Sequence, residues 1–271
     1  MAVQQATTGG VRDRSAPLLE GKVAVITGAG SGVGRATARL FAAQGAKVVC
    51  GDLRQPWVDD TAALVSAAGG QAHPVKCDVT VDDEVANLVS EALRVYGRID
   101  VVHNNAGIST PGMTIADHTE ADWDRLINVN LKGAFYGSKH AVVAFKEQGE
   151  GGVIVNTSSI AGLVGFGGVG YCVSKGGVNQ LTRSLAIEVA PLRIRVNAIC
   201  PGPMLTNLTR TEDDAFTEPT TEELARFGSM NPNGVPVLPE DIADAALFLA
   251  SDLSTAITGV LLPVDHGFTA R

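Results

Sequence analysis

The chain has 271 residues, 45% hydrophobic and 18% charged, a composition that suits one large α/β domain with a sizeable core. Its 21 basic and 29 acidic residues give a formal charge of −8, which argues against nucleic acid or an anionic membrane as partner, because both are held by basic charge. No apolar run approaches the ~18 residues of a membrane span, so none is expected.

The first segment, MAVQQATTGGVRDRSAP (1–17), lacks the apolar middle of a signal peptide and reads as a flexible tail before a single domain over 18–271. Strand-like runs then follow at KVAVIT (22–27), AKVVCGD (46–52), HPVKCD (73–78), IDVVHNN (99–105), GVIVNTS (152–158), IRVNAIC (194–200) and GVLLPVD (259–265). Several are almost continuously apolar, as expected of parallel strands covered on both faces. Helical patterns separate them. VDDEVANLVSEALRVYG, for example, carries Val85, Leu88, Val89, Ala92 and Val95 as one apolar stripe. This alternation predicts an α/β fold of one doubly wound, Rossmann-type domain, with a seven-stranded, mainly parallel sheet and helices on both faces. Residues 203–236, which include TRTEDDAFTEPTTEEL, follow a strand without strand signal of their own and read as a lid over a substrate site. The four cysteines (Cys50, Cys77, Cys172, Cys200) form no CxxC pair and fit buried thiols of a reducing cytoplasm. The scattered histidines suggest no metal cluster.

TGAGSGVG (27–34) lies between the first strand and the first helix. Gly28, Gly32 and Gly34 stand where a chain must turn tightly, approach a pyrophosphate and pack helix on strand. Ser31 and Val33 share this loop, whose backbone N–H groups open a helix and attract phosphate. The second strand ends at Asp52, 18 residues beyond Gly34. A carboxylate there bonds the adenosine ribose and repels a 2′-phosphate, which favours NAD over NADP. Arg54, two residues on, is a counter-signal.

YCVSK (171–175) puts a phenol and an ammonium one helical turn apart. A packed Tyr and a snorkelling Lys would satisfy that spacing alone. The same chain, however, carries TGAGSGVG, NNAG (104–107), NVNLKG (128–133), NTSSIAG (156–162), PG (201–202) and ITGVLLPVDHG near its end. Over about 18–268 it resembles the short-chain dehydrogenases/reductases in their single-domain form.

The resemblance implies a catalytic tetrad of Asn130, Ser159, Tyr171 and Lys175. Tyr171 would exchange the proton; the Lys175 ammonium and the positive nicotinamide ring would together make its phenol acidic enough to do so, and Lys175 would also hold the nicotinamide ribose. Asn130 would hold a water in a proton relay to the lysine. The serine is open by one residue: the SS motif selects Ser159, whereas counting 13 back from Tyr171 selects Ser158. Side chains of adjacent strand residues face opposite ways, so both cannot serve. The resemblance further implies cofactor contacts from Asp78, Val79, Asn105, Gly107, Pro201, Gly202 and Thr206. It implies assembly as a homotetramer or homodimer through the long helices bearing Asn130 and Tyr171 and through the C-terminal strand region. One departure is DHG (265–267), where the family usually has DGG, and His266 reads as structural.

The expected function is NAD-dependent interconversion of a secondary alcohol and a ketone. Leu163, Val164, Phe166 and Met204 are expected to line a pocket for a hydrophobic, cyclic or steroid-like substrate. NADPH-dependent reduction of a 3-oxoacyl thioester is the alternative, and Asp52 counts against it. A cofactor-binding protein without catalysis would not need the intact tetrad.

Overall fold

The computed structural model describes residues 17–110, 112–206, 208 and 220–270. The tail assigned to 1–17 therefore lies outside it except for Pro17, and so does TRTEDDAFTEP (209–219). Seven strands form one sheet in the order β3-β2-β1-β4-β5-β6-β7, every pair parallel. They span Val23–Thr27 (β1), Lys47–Asp52 (β2), Gln71–Lys76 (β3), Val101–Asn104 (β4), Gly152–Thr157 (β5), Ile194–Pro201 (β6) and Leu261–Val264 (β7). The helices are Gly32–Ala43 (α1), Gln55–Ala67 (α2), Asp82–Tyr96 (α3), Glu120–Leu126 (α4), Gly133–Gln148 (α5), Val169–Glu188 (α6), Thr221–Gly228 (α7) and Pro239–Ala250 (α8).

The continuous apolar runs bury both sheet faces. In β1, Ala24 and Ile26 join Phe41 of α1, Val58 of α2 and Ile242 of α8 on one side. Val23 and Val25 join Leu88 of α3, Phe145 of α5 and Ala186 of α6 on the other. Period-two alternation thus divides a single strand between two cores. One expected strand shifts: β3 begins at Gln71, two residues ahead of the HPVKCD run, and ends at Lys76. Its register against β2 (Lys47 with Gln71, Asp52 with Lys76) sets those limits. As an edge strand it also tolerates Pro74, which has no N–H to offer an outer neighbour.

Between α4 and α5 the helix widens into a π-helical stretch, Ile127–Lys132, which holds Asn130. Such widenings often occur at functional sites. The segment expected as a lid contains α7, opened by a Thr220–Glu223 capping box, and is tied down by the Met204–Val237 bridge. No described helix is long and apolar enough to cross a membrane. The strand order reverses between β1 and β4, and the carboxyl ends of the strands around this point carry the site.

Candidate active site

A cavity of about 920 Å³ opens over those strand ends. Of the residues singled out from sequence, Gly28, Ser31, Gly32, Val33, Asp52, Asp78, Val79, Asn105, Gly107, Ser159, Tyr171, Lys175, Pro201, Gly202 and Thr206 all border it. Gly34 and Asn130 do not, and both act from behind its wall.

Gly34 is where α1 meets the loop. A Cβ there would lie 2.1 Å from the Gly28 carbonyl oxygen and 2.7 Å from Asn105 Nδ2, so only glycine fits. Asn105 braces the loop in turn: its N–H donates to Thr27 Oγ1 (3.0 Å) and its Nδ2 to Thr27 O (3.0 Å). Ser31 makes no side-chain cap on α1, so the first-turn N–H groups have no side-chain acceptor there. With Gly32 and Val33 on the wall, this fits a pyrophosphate. Asp52 Oδ2 accepts from Gly30 N (2.9 Å) and its Oδ1 from Arg54 N (3.0 Å). Beside it the Arg54 guanidinium lies 4.1 Å over the Trp57 ring. Asp78 is fixed by Thr80, whose hydroxyl donates to its Oδ1 (2.7 Å). The residues present therefore fit a dinucleotide.

At the other end, Tyr171 stands in the first turn of α6 and Lys175 one turn later. Lys175 is 3% exposed; its Nζ donates to the Thr157 carbonyl (2.8 Å) and lies 5.8 Å from the Tyr171 ring centroid. The two candidate serines differ in what they bond. Ser159 hydrogen-bonds the Tyr171 hydroxyl, while Ser158 Oγ donates to the Lys175 carbonyl (3.1 Å). Ser159 Oγ also accepts from Ala161 N (3.1 Å), which fixes the hydroxyl at the start of a 3₁₀ turn, Ile160–Gly162.

Asn130 is buried with its amide fully engaged. Its Oδ1 accepts from Ile108 N (2.8 Å), and its Nδ2 donates to Ile108 O and Ser174 Oγ (both 3.0 Å). A Cβ on Gly107 would meet Asn130 Oδ1 at 3.3 Å and Lys175 Nζ at 3.4 Å, so that glycine lets the asparagine and the lysine crowd one point.

Without a cofactor, Lys175 by itself does not make the phenol acidic. Burial pushes the Tyr171 hydroxyl up to about 12, and the Ser159 hydrogen bond offsets only part of this. Burial likewise lowers Lys175 to about 8, which leaves it largely protonated at pH 7. In the protein alone, desolvation outweighs the neighbouring cation.

The same cavity is also lined by Phe166, Met204, Leu208, Phe227 and Met230. Leu163 and Val164, expected on this wall, are not part of it and are 37% and 40% exposed. The chain leaves the 3₁₀ turn with both amides bonded back to Ile160 O, which carries the two side chains past the opening. Trp57 and Met230 border the site without any sequence motif to mark them, and Arg125 and Arg226 border it as well. No cluster able to hold a metal ion occurs among the described residues.

A family model described as enoyl-(acyl carrier protein) reductase matches residues 28–269. Cis-4-hydroxycyclohexanecarboxylate dehydrogenase of Sinomonas cyclohexanicum is 40% identical over 92% of this chain and 97% of its own. A 3-oxoacyl-[acyl-carrier-protein] reductase of Thermotoga maritima is 40% identical over 92% and 98%. The crystal structure of a short-chain dehydrogenase/reductase from Burkholderia xenovorans superposes with a TM-score of 0.85 at 38% identity, covering 94% of this chain and 99% of that one. The chain belongs to the short-chain dehydrogenase/reductase family. As a short-chain dehydrogenase/reductase it is an NAD(P)-dependent oxidoreductase, and its relatives act on alcohols and ketones.

Proposed function

We propose that this enzyme uses NAD to interconvert a secondary alcohol and a ketone, with a hydrophobic, cyclic or steroid-like substrate. One observation carries the reading: the Tyr171 hydroxyl, bonded to Ser159 and one turn from Lys175, borders the same cavity as the Asp52 carboxylate and the open N-terminus of α1. A nicotinamide dinucleotide bound there supplies the uptake or release of a hydride at the carbinol carbon. Asp52 would hold the adenosine ribose, and Lys175 the nicotinamide ribose. Ser159 would donate to the substrate oxygen and stabilise charge developing on it. Tyr171 takes the alcohol proton on oxidation and returns it on reduction. Asn130 holds the Ile108 backbone and Ser174 in place beside the lysine.

Apolar side chains, among them Phe166, Met204, Phe227 and Met230, line the cavity that Tyr171 borders, which supports a hydrophobic substrate, and the relative acting on a hydroxycyclohexane agrees with a ring. The cysteines are unpaired, three of them buried, in line with a reducing cytoplasm. Exposed Phe135 and Val143 on α5 and Val169 and Val173 on α6 would be covered in a homodimer or homotetramer built on those helices. Reduction of a 3-oxoacyl thioester with NADPH is the second reading. It draws on the Thermotoga maritima relative and on Arg125 and Arg226, which could meet an anionic carrier group at the cavity. Steady-state rates with cyclic secondary alcohols and with 3-oxoacyl thioesters, each with NAD(H) and NADP(H), test the two. Turnover confined to thioesters with NADPH would overturn the first.

A further inference from the structure

Phe166 is the aromatic side chain of the substrate wall closest in sequence to Tyr171, just ahead of two glycines in the left-handed region, Gly167 (φ 98°) and Gly168 (φ 90°). Its ring stacks at an angle on Phe268, with centroids 5.0 Å apart and planes at 63°. Phe268 does not border the cavity. It belongs to the segment after β7, and that segment is built to hold it.

Asp265, 6% exposed, gathers the turn around its carboxylate. Oδ1 accepts from Gly267 N (2.9 Å), and Oδ2 accepts from Thr269 N (2.9 Å) and the Thr269 hydroxyl (2.6 Å). Burial opposes ionisation of this carboxyl, but the bonds from Thr269 and Gly267 outweigh it and hold its pKa below the usual range. The Phe268 N–H donates to Asp265 O (3.0 Å) and the Ala270 N–H to Gly267 O (3.1 Å), which leads the chain into a 3₁₀ turn over Phe268–Ala270. The base of the turn is fixed to the cofactor side of the site. Gly202 N donates to Val264 O (3.0 Å), and a Cβ on Gly202 would lie 2.7 Å from Asp265 Cα. His266 accepts a left-handed backbone (φ 50°) to make the turn, a conformation L side chains avoid.

We propose that Phe268 is a positioning residue for substrate specificity: held by the Asp265 turn, it fixes the ring of Phe166 and so sets how large a ring system fits beside Tyr171. The inference rests on the proposed oxidation of cyclic secondary alcohols. An aromatic ring backed by another ring has its rotamer chosen for it, whereas an unbacked one can swing away and enlarge the pocket.

The test compares cyclohexanol with decahydro-2-naphthol, using NAD⁺, in wild type, Phe268→Ala, Phe268→Leu and Phe268→Tyr. Phe268→Ala should raise the kcat/KM ratio of the two-ring to the one-ring alcohol at least tenfold, through the KM values. NAD⁺ affinity should change less than twofold. Phe268→Leu should move the ratio the same way by less, and it stands in if the alanine variant does not fold. Phe268→Tyr, which keeps the ring, should restore the wild-type ratio. An unchanged ratio in an active variant, or an equal loss on both alcohols together with weaker NAD⁺ binding, overturns the inference and leaves the proposed function standing. A wild-type enzyme that neither oxidises these alcohols nor binds their ketones when loaded with NADH sinks both.

Discussion

Lys175 should cost the folded protein stability, and the cost should depend on pH in one defined window. The amine is 3% exposed, its hydrogen bond goes to a neutral carbonyl, and among the described residues no carboxylate pairs with it. Burial lowers its pKa from 10.5 to about 8. At ~1.4 kcal/mol per pK unit, keeping it charged costs about 3 kcal/mol. Between pH 8 and 10.5 the unfolded chain binds the proton that the folded chain has lost, so stability rises with pH across that window. Below pH 8 the cost is fully present and constant. In Lys175→Met the term is absent, although the Thr157 carbonyl loses its donor, a penalty of ~1–3 kcal/mol that does not vary with pH. Urea denaturation of both proteins without cofactor, at pH 7 and pH 10, reads the difference, in which all other titrating groups cancel. The wild type should gain about 2–3 kcal/mol on the variant between the two pH values. A gap that stays constant would refute a buried, unpaired ammonium.

Four further outcomes follow from the same geometry. Tyr171→Phe should lower kcat by ~10² to 10⁴-fold or more, while NADH affinity, read by fluorescence titration, stays within a few-fold. Asp52→Asn removes the charge that would face the ribose but keeps an acceptor for Gly30 N or Arg54 N; a hydrogen bond to a charged group is worth ~1.5–3 kcal/mol. Calorimetric titration should therefore show the NAD-over-NADP preference falling by about 10- to 150-fold, and equal changes for both would contradict the assignment. Gly34→Ala drives a methyl into the Gly28 carbonyl and should abolish NAD binding, with a loss of ~1–3 kcal/mol in thermal unfolding. Phe135→Glu on the exposed face of α5 should yield a smaller species by light scattering, and an unchanged mass would remove that face from any interface.

Much of the site could be read in the sequence because its signals are local. A glycine loop, a strand-end carboxylate and a one-turn Tyr–Lys spacing are all set by a few bonds, and the parallel strands bring them to one cavity. The misses came from distance along the chain. β3 started two residues early because its limits are dictated by β2. Leu163 and Val164 were misplaced because apolar character says nothing about which side of a 3₁₀ turn faces a cavity. The choice between Ser158 and Ser159 needed α6 in place, since only then does one hydroxyl meet the Tyr171 phenol and the other the Lys175 carbonyl. The π-helical stretch around Asn130 has no composition of its own that marks it.

The phenol's high resting pKa makes sense when both directions of the proposed reaction are considered. For reduction, Tyr171 must hold its proton until the substrate oxygen becomes basic, and burial guarantees this by keeping the hydroxyl near 12. For oxidation it must release the proton, and the oxidised nicotinamide carries a positive charge that its reduced form lacks. A unit cation, if held ~4 Å from the phenol at an effective dielectric of ~20, would be worth about 4 kcal/mol, or roughly 3 pK units. That would bring the phenol from about 12 to about 9. Tyr171 would thus be an acid beside the neutral ring and a base beside the charged one, with no rearrangement of the protein. Oxidation should accordingly quicken as pH rises toward 9, reduction should not, and tyrosinate should be absent below pH 9 when no cofactor is bound. Spectrophotometric titration of Tyr171 by difference against Tyr171→Phe, with and without NAD⁺, decides it: a phenol that ionises at the same pH in both would show that burial alone, not the cofactor's charge, governs the proton.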